Sequence, residues 1–266
     1  MDNRPIGVFD SGIGGLTVVS ALKKKLPSET ILYLGDTARV PYGNKSTEKI
    51  REYSEEITRW LIQKECKMVV VACNTASAHA IGSLKSKFEI PIVGVIEPGV
   101  EAAISATRNL RIGVLGTYGT IKSDEYGKNL RALNENIKVI SQACPLFVPL
   151  AEEGWVNGEI PEIITKTYLQ NIIKSDVDTL ILGCTHYPLF KNTINKVMGE
   201  NITLVDSGET TASVVKSVIN ELMIDTEKNV SGNIQCYVTD SVEQFKSLAE
   251  KFFKSPISNI LHIDVH

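Results

Sequence analysis

Two cysteines are set apart by what precedes and follows them. Residues 68–77 read Met-Val-Val-Val-Ala-Cys-Asn-Thr-Ala-Ser, and residues 179–188 read Thr-Leu-Ile-Leu-Gly-Cys-Thr-His-Tyr-Pro. Each stretch is a short apolar run of the buried-strand type that ends on a thiol, Cys73 or Cys184. Polar groups follow at once: Asn74 and Thr75 after the first, Thr185 and His186 after the second. A thiolate can take a proton and a thiol can return one. Two thiols across one site could therefore remove a proton from one face of a carbon and deliver one to the other. A cysteine of pKa about 8.5 is only ~3% thiolate at pH 7, a cost of roughly 2 kcal/mol. A helix N-terminus behind each cysteine is expected to help supply it. His186, two residues beyond Cys184, is a candidate proton partner; protonated, it would lower the pKa of that thiol.

Other reactive side chains fall at similar places. Asp10 closes an apolar run at 6–10 and leads into Ser-Gly-Ile-Gly-Gly; Glu97 follows the run at 92–96, and Thr117 the run at 111–115. Ligands of open parallel sheets lie beyond the carboxyl ends of the strands, so Asp10, Cys73, Glu97, Thr117 and Cys184 are expected to converge. The glycine loop is neither G-x-G-x-x-G nor a P-loop. It reads either as a tight strand-to-helix turn or as backbone N–H groups that hold a small anion together with Ser11. Asp10, Glu97 and Glu152 are either helix-terminus charges or members of the site. Tyr42 and Gly43 fall in a polar loop at 36–45, where they need be no more than a turn. Cys66, Cys144 and Cys236 are read as structural.

The elements that must position these groups alternate. Strands are expected at 6–10, 30–34, 68–72 and 92–96, with helices at 16–26, 47–64 and 75–88 between them. The pattern then restarts: strands at 111–115, 138–142, 179–182 and 202–205, with helices at 123–133 and 161–174. A helix at 211–222, a strand at 234–238, a helix at 241–253 opened by a Ser241/Gln244 cap and an edge strand from 257 complete the chain. Such alternation argues for parallel sheets covered on both faces. The fold class expected is α/β: two pseudo-symmetric parallel-sheet lobes with the active site in the cleft between them. The restart assigns residues 1–97 plus 208–266 to the first lobe and 98–207 to the second. Asp10-Ser11-Gly12 and Asp206-Ser207-Gly208 are read as a further echo between halves.

Bulk composition excludes several classes. The 266 residues carry a net charge of −3 and 43% hydrophobic side chains, which gives no reason to expect nucleic acid or a membrane as partner. No signal-peptide pattern and no apolar run of membrane-spanning length is present. Five cysteines without an export signal imply reduced thiols and a cytoplasmic setting. No C-x-x-C pair exists and the four histidines lack ligand spacing, so no metal is expected.

The chain also resembles the bacterial glutamate racemases of the aspartate/glutamate racemase superfamily. The resemblance rests on Phe-Asp-Ser-Gly-Ile-Gly-Gly at 9–15, Pro-Tyr-Gly at 41–43 and Ala-Cys-Asn-Thr-Ala-Ser at 72–77. Gly-Val-Ile-Glu-Pro at 94–98, Gly-Cys-Thr-His-Tyr-Pro at 183–188 and Val-Asp-Ser-Gly at 205–208 extend it in family order. It implies a racemase that uses no cofactor, interconverts L- and D-glutamate with Cys73 and Cys184 as its two bases, and supplies D-glutamate for peptidoglycan. It implies that Cys73 acts on the D-enantiomer and Cys184 on the L-enantiomer. It implies substrate contacts at Asp10, Ser11, Tyr42, Gly43, Asn74, Thr75, Thr185 and His186, a place near the site for Glu152, and a homodimer. Three alternatives remain at the level of residues: a racemase for aspartate or a hydantoin, a two-lobed small-ligand binding protein, and a Cys-His hydrolase.

Overall fold

The computed structural model describes residues 1–199, 201–227, 230–253 and 259–265. The first run of elements is β1 (Ile6–Asp10), α1 (Leu16–Lys25), β2 (Ile31–Gly35), α2 (Thr47–Gln63), β3 (Met68–Val71), α3 (Asn74–Lys87), β4 (Ile92–Gly94) and α4 (Ile96–Ala106). The second run begins with β5 (Arg111–Gly116), α5 (Tyr118–Ser123), α6 (Glu125–Leu133), β6 (Lys138–Ala143) and α7 (Phe147–Glu152). It continues with α8 (Glu159–Lys174), β7 (Thr179–Gly183), α9 (Lys191–Met198) and β8 (Thr203–Asp206). The chain then returns through α10 (Ser207–Leu222) to β9 (Ile234–Val238), α11 (Val242–Phe253) and β10 (Ile260–His262).

Two sheets result, and every strand pairing in them is parallel. The first has the order β10-β9-β2-β1-β3-β4 and the second β6-β5-β7-β8. The four-strand pattern β2-β1-β3-β4 is repeated as β6-β5-β7-β8, so β3 and β7 hold equivalent places. These are the strands that end at Cys73 and Cys184. The central strands β1, β3 and β7 are buried along their whole length, as strands covered on both faces must be. Alternate residues feed opposite cores: Val8 and Val70 pack under α1 and α10, whereas Phe9, Val69 and Val71 pack under α2 and α3.

Several elements differ from expectation. The strand expected at 92–96 ends at Gly94, and Ile96 already opens α4. Pro98 favours this, because a missing N–H costs nothing in a first helical turn. Glu97 is therefore an exposed helix-start residue paired with Lys85 at 3.0 Å, not a site acid. The helix expected at 123–133 starts at Glu125, after Asp124, whose φ is 54°, and a separate helix, α5, precedes it. The loop around Cys144 and Glu152 contains α7. The edge strand expected from 257 starts outside the described residues; its described part, β10, pairs with β9. Asp206 ends β8, a strand not equivalent to β1, so its echo of Asp10 is not a symmetry relation. Asp206 caps α10 instead, accepting from Gly208 N at 2.8 Å and Glu209 N at 3.3 Å.

The glycine loop at 11–15 joins the two lobes. A Cβ on Gly14 would collide with Thr185 Oγ1 and lie 2.5 Å from His186 Nδ1; one on Gly15 would lie 2.5 Å from Asp10 Cβ. Close approach, not a special φ, requires these glycines. Thr17 Oγ1 donates to Thr185 O at 2.9 Å beside them.

Gly14→Ala should lower turnover about a hundredfold by displacing Thr185 and His186, with a destabilisation of about 1–3 kcal/mol. Gly82, on the open face of α3, provides the contrast: a Cβ there would meet nothing within 4 Å. Gly82→Ala should raise stability by about 0.5–1 kcal/mol and leave turnover unchanged. Thermal unfolding and initial rates on the two variants check both.

Candidate active site

Cys73 is the N-cap of α3. Its Sγ accepts from Ala76 N at 3.4 Å and donates to Ser11 Oγ at 3.7 Å. The residue is 6% exposed. Burial, and secondarily the nearby charge of Asp10, pushes the thiol up to about 12. The helix N-terminus and the hydrogen bonds act in the expected direction but lose to desolvation. The cost of a thiolate at pH 7 is thus well above the 2 kcal/mol of an exposed cysteine: about five units, or about 7 kcal/mol.

Cys184 is equally buried but differently attended. No regular helix begins directly behind it; a short 3-10 turn at Tyr187–Phe190 comes before α9. The expectation of a helix N-terminus behind each thiol therefore holds for Cys73 alone. Its neighbour is an imidazole: His186 Nδ1 lies 3.9 Å from Cys184 Sγ, and His186 Nε2 lies 3.1 Å from Glu152 Oε1. Burial raises the Cys184 thiol as well. Glu152 ends α7 and lines the cleft; Glu153 is exposed and does not line it.

The cleft has a volume of about 350 Å³, within the range of small-molecule sites. Cys73, Cys184, Ser11, Tyr42, Gly43, Asn74, Thr75, Glu152, Thr185 and His186 all line it. Asp10 does not. It is set back behind the wall, 1% exposed, with Oδ2 accepting from Gly12 N at 3.1 Å and Oδ1 buried without a hydrogen-bond partner among the described residues. Burial pushes its carboxyl above the usual range. The Tyr42 ring is also buried, and its hydroxyl donates to Asp36, which Arg39 and Thr239 hold in turn. Tyr42 therefore anchors the wall rather than offering its hydroxyl. Thr75 Oγ1 lies 2.9 Å from Thr117 Oγ1, a hydroxyl pair that crosses between lobes. Val40, Tyr118, Val148 and Pro149 also line the wall and carry no motif that sequence reasoning could have used.

Chemically, the first turn of α3 offers backbone N–H groups to a carboxylate, and the two thiols share the cavity with it. Among the described residues, no helix is long and apolar enough to cross a membrane.

Residues 16–215 match the Asp/Glu/Hydantoin racemase family, and the chain belongs to that family. A glutamate racemase of Geobacter metallireducens is 46% identical over 98% of this chain and 97% of its own length. A solved glutamate racemase of Bacillus anthracis has a TM-score of 0.96 at 39% identity, covering 100% of this chain and 99% of its own. The glutamate racemase of Francisella tularensis, solved with D-glutamate, has a TM-score of 0.93 at 38% identity over 100% of this chain and 99% of its own. The activity class follows: an isomerase, and among isomerases an amino-acid racemase of the glutamate-racemase kind.

The raised thiol carries a pH signature. A group whose folded pKa is raised stays protonated until the folded value is reached. In the substrate-free protein, alkylation of Cys73 by iodoacetamide should therefore climb about tenfold per pH unit from pH 8 to 11, where an exposed cysteine levels off near 9. Peptide mass spectrometry over that range reads the profile.

Proposed function

We propose that the cleft interconverts L- and D-glutamate by a two-base reaction without a cofactor. Cys184 removes the α-proton of L-glutamate while Cys73 supplies one to the opposite face, and the roles exchange for D-glutamate. The observation that carries this reading is that two buried thiols stand at equivalent strand ends and line one cavity. A single base does not reach both faces of a carbon, whereas a pair on opposed lobes does.

The remaining groups follow from charge. The substrate α-carboxylate is held by the N–H groups at the start of α3 and by the Asn74, Thr75 and Thr185 side chains. Ser11 and the backbone of Tyr42 and Gly43 border the substrate from the first lobe. Asp10 cannot stabilise a thiolate, since both are anions; from behind the cleft wall it accepts or relays a proton, or holds the ammonium. The ammonium in turn stabilises a thiolate. A unit charge 4 Å away contributes about 4 kcal/mol at an effective dielectric of 20, a large part of the about 7 kcal/mol that Cys73 requires. Thiolate formation is therefore coupled to substrate binding. At Cys184, His186 and Glu152 take the same part through the imidazole. We further infer a homodimer in the cytoplasm whose D-glutamate enters peptidoglycan synthesis.

Purified protein with L-glutamate in deuterium oxide, under reducing conditions and without added cofactor, should lose optical activity as deuterium enters the α-carbon. Retention of both optical activity and α-hydrogen would reject the reading. Cys73→Ala and Cys184→Ala should each lower racemisation at least a thousandfold. Cys184→Ala should keep slow α-hydrogen exchange on D-glutamate alone, and Cys73→Ala on L-glutamate alone. Near wild-type racemisation by either variant would exclude the two-thiol mechanism.

A further inference from the structure

Tyr126 lies outside every motif, yet it touches the immediate neighbours of both thiol residues. It belongs to α6 and is 2% exposed. Its hydroxyl donates to Asn74 Oδ1 at 2.7 Å, and Asn74 directly follows Cys73. Its ring fills a slot kept open by two glycines: a Cβ on Gly183, which directly precedes Cys184, would lie 3.0 Å from Tyr126 Cε2, and one on Gly99 would lie 3.3 Å from Cε1. One rigid side chain thus spans from the strand end of one thiol to the helix start of the other.

The hydrogen-bond inventory fixes what this contact does. A phenol has one proton. Ser207 Oγ is 3.4 Å from the phenol oxygen but donates its own proton to Leu182 O at 2.9 Å, which leaves the Tyr126 proton for Asn74. Burial pushes the phenol up, so it remains a donor. Asn74 therefore turns its amide oxygen to Tyr126 and its amide nitrogen the other way. That nitrogen, Nδ2, is buried and, among the described residues, has no hydrogen-bond partner, in a residue that lines the cleft. A buried donor left unmade is costly, and a carboxylate oxygen would relieve it. The flipped amide would present an oxygen to that carboxylate and leave the phenol proton facing an N–H₂ group.

We propose that Tyr126 is a positioning residue: it holds the Asn74 amide so that Nδ2 is presented to a substrate carboxylate. The second lobe thereby orients a binding group of the first. The assignment rests on reading the cleft as the glutamate site.

A double-mutant cycle of Tyr126→Phe and Asn74→Ala, assayed with L- and D-glutamate, tests it. Wild-type racemisation decides the underlying reading independently. Given that activity, Tyr126→Phe should raise KM about tenfold and lower kcat less than threefold. In the Asn74→Ala background the same substitution should change KM less than twofold, because its only route to substrate is gone. A merely structural Tyr126 would give equal effects in both backgrounds, with kcat falling as much as KM rises. That result, or an Asn74→Ala variant with unaltered KM, would overturn the assignment. Should Tyr126→Phe fail to fold, Gly99→Ala, which crowds the same ring, should raise KM about threefold in the wild-type background and not beside Asn74→Ala. Equal effects in the two backgrounds would again count against it.

Discussion

Desolvation of two thiols is the constraint on which the cleft depends. A cysteine in water is already a few per cent thiolate at neutral pH and reacts with any electrophile that reaches it. Buried, it keeps its proton, and Cys73 is pushed up to about 12. The proposed two-base reaction then needs a means of ionising one thiol at the right moment. The geometry offers two, the first turn of α3 at Cys73 and the imidazole of His186 beside Cys184, and the proposed substrate would add the charge of its ammonium. None alone offsets the burial. Chemistry is thereby confined to the occupied cleft.

That confinement demands that the two lobes be held in one relation. The contacts between them are small and specific. Gly14 lets Thr185 and His186 approach the first lobe, Thr17 donates to the Thr185 carbonyl, Thr75 meets Thr117, and Tyr126 reaches Asn74. Each contact joins a residue of the cleft wall or its next neighbour to the opposite lobe. The apolar cores lie farther out, between the sheets and the helices that cover them.

Much of this was legible in the sequence, for a local reason. Strands covered on both faces read as continuous apolar runs, and the residue after such a run points at the site, so Cys73, Cys184 and the polar residues behind them could be picked out directly. The parallel α/β architecture followed from the same alternation. Where the reading failed, the deciding fact was not local. Glu97 left the site because a proline turned a strand end into a helix start. Asp206 resembled Asp10 in its neighbours but ends a strand of a different place in the sheet. Asp10 itself lies behind the wall, which no spacing could reveal. Tyr126, Tyr118 and Val148 belong to helices whose approach to the cleft is set by packing across the lobes, and one chain of letters holds no trace of it.

The unequal attendance of the two thiols has a thermodynamic corollary. L- and D-glutamate are mirror images and have the same free energy in water. A helix start beside one thiol and a histidine–carboxylate pair beside the other cannot, therefore, favour either enantiomer at equilibrium. Any gain in turnover in one direction must be matched by a proportionate change in the Michaelis constant, so that kcat/KM is equal both ways. The asymmetry of the fold is free to act only on how long each mirror form stays bound and on which proton transfer is slower. The equilibrium mixture lies beyond its reach.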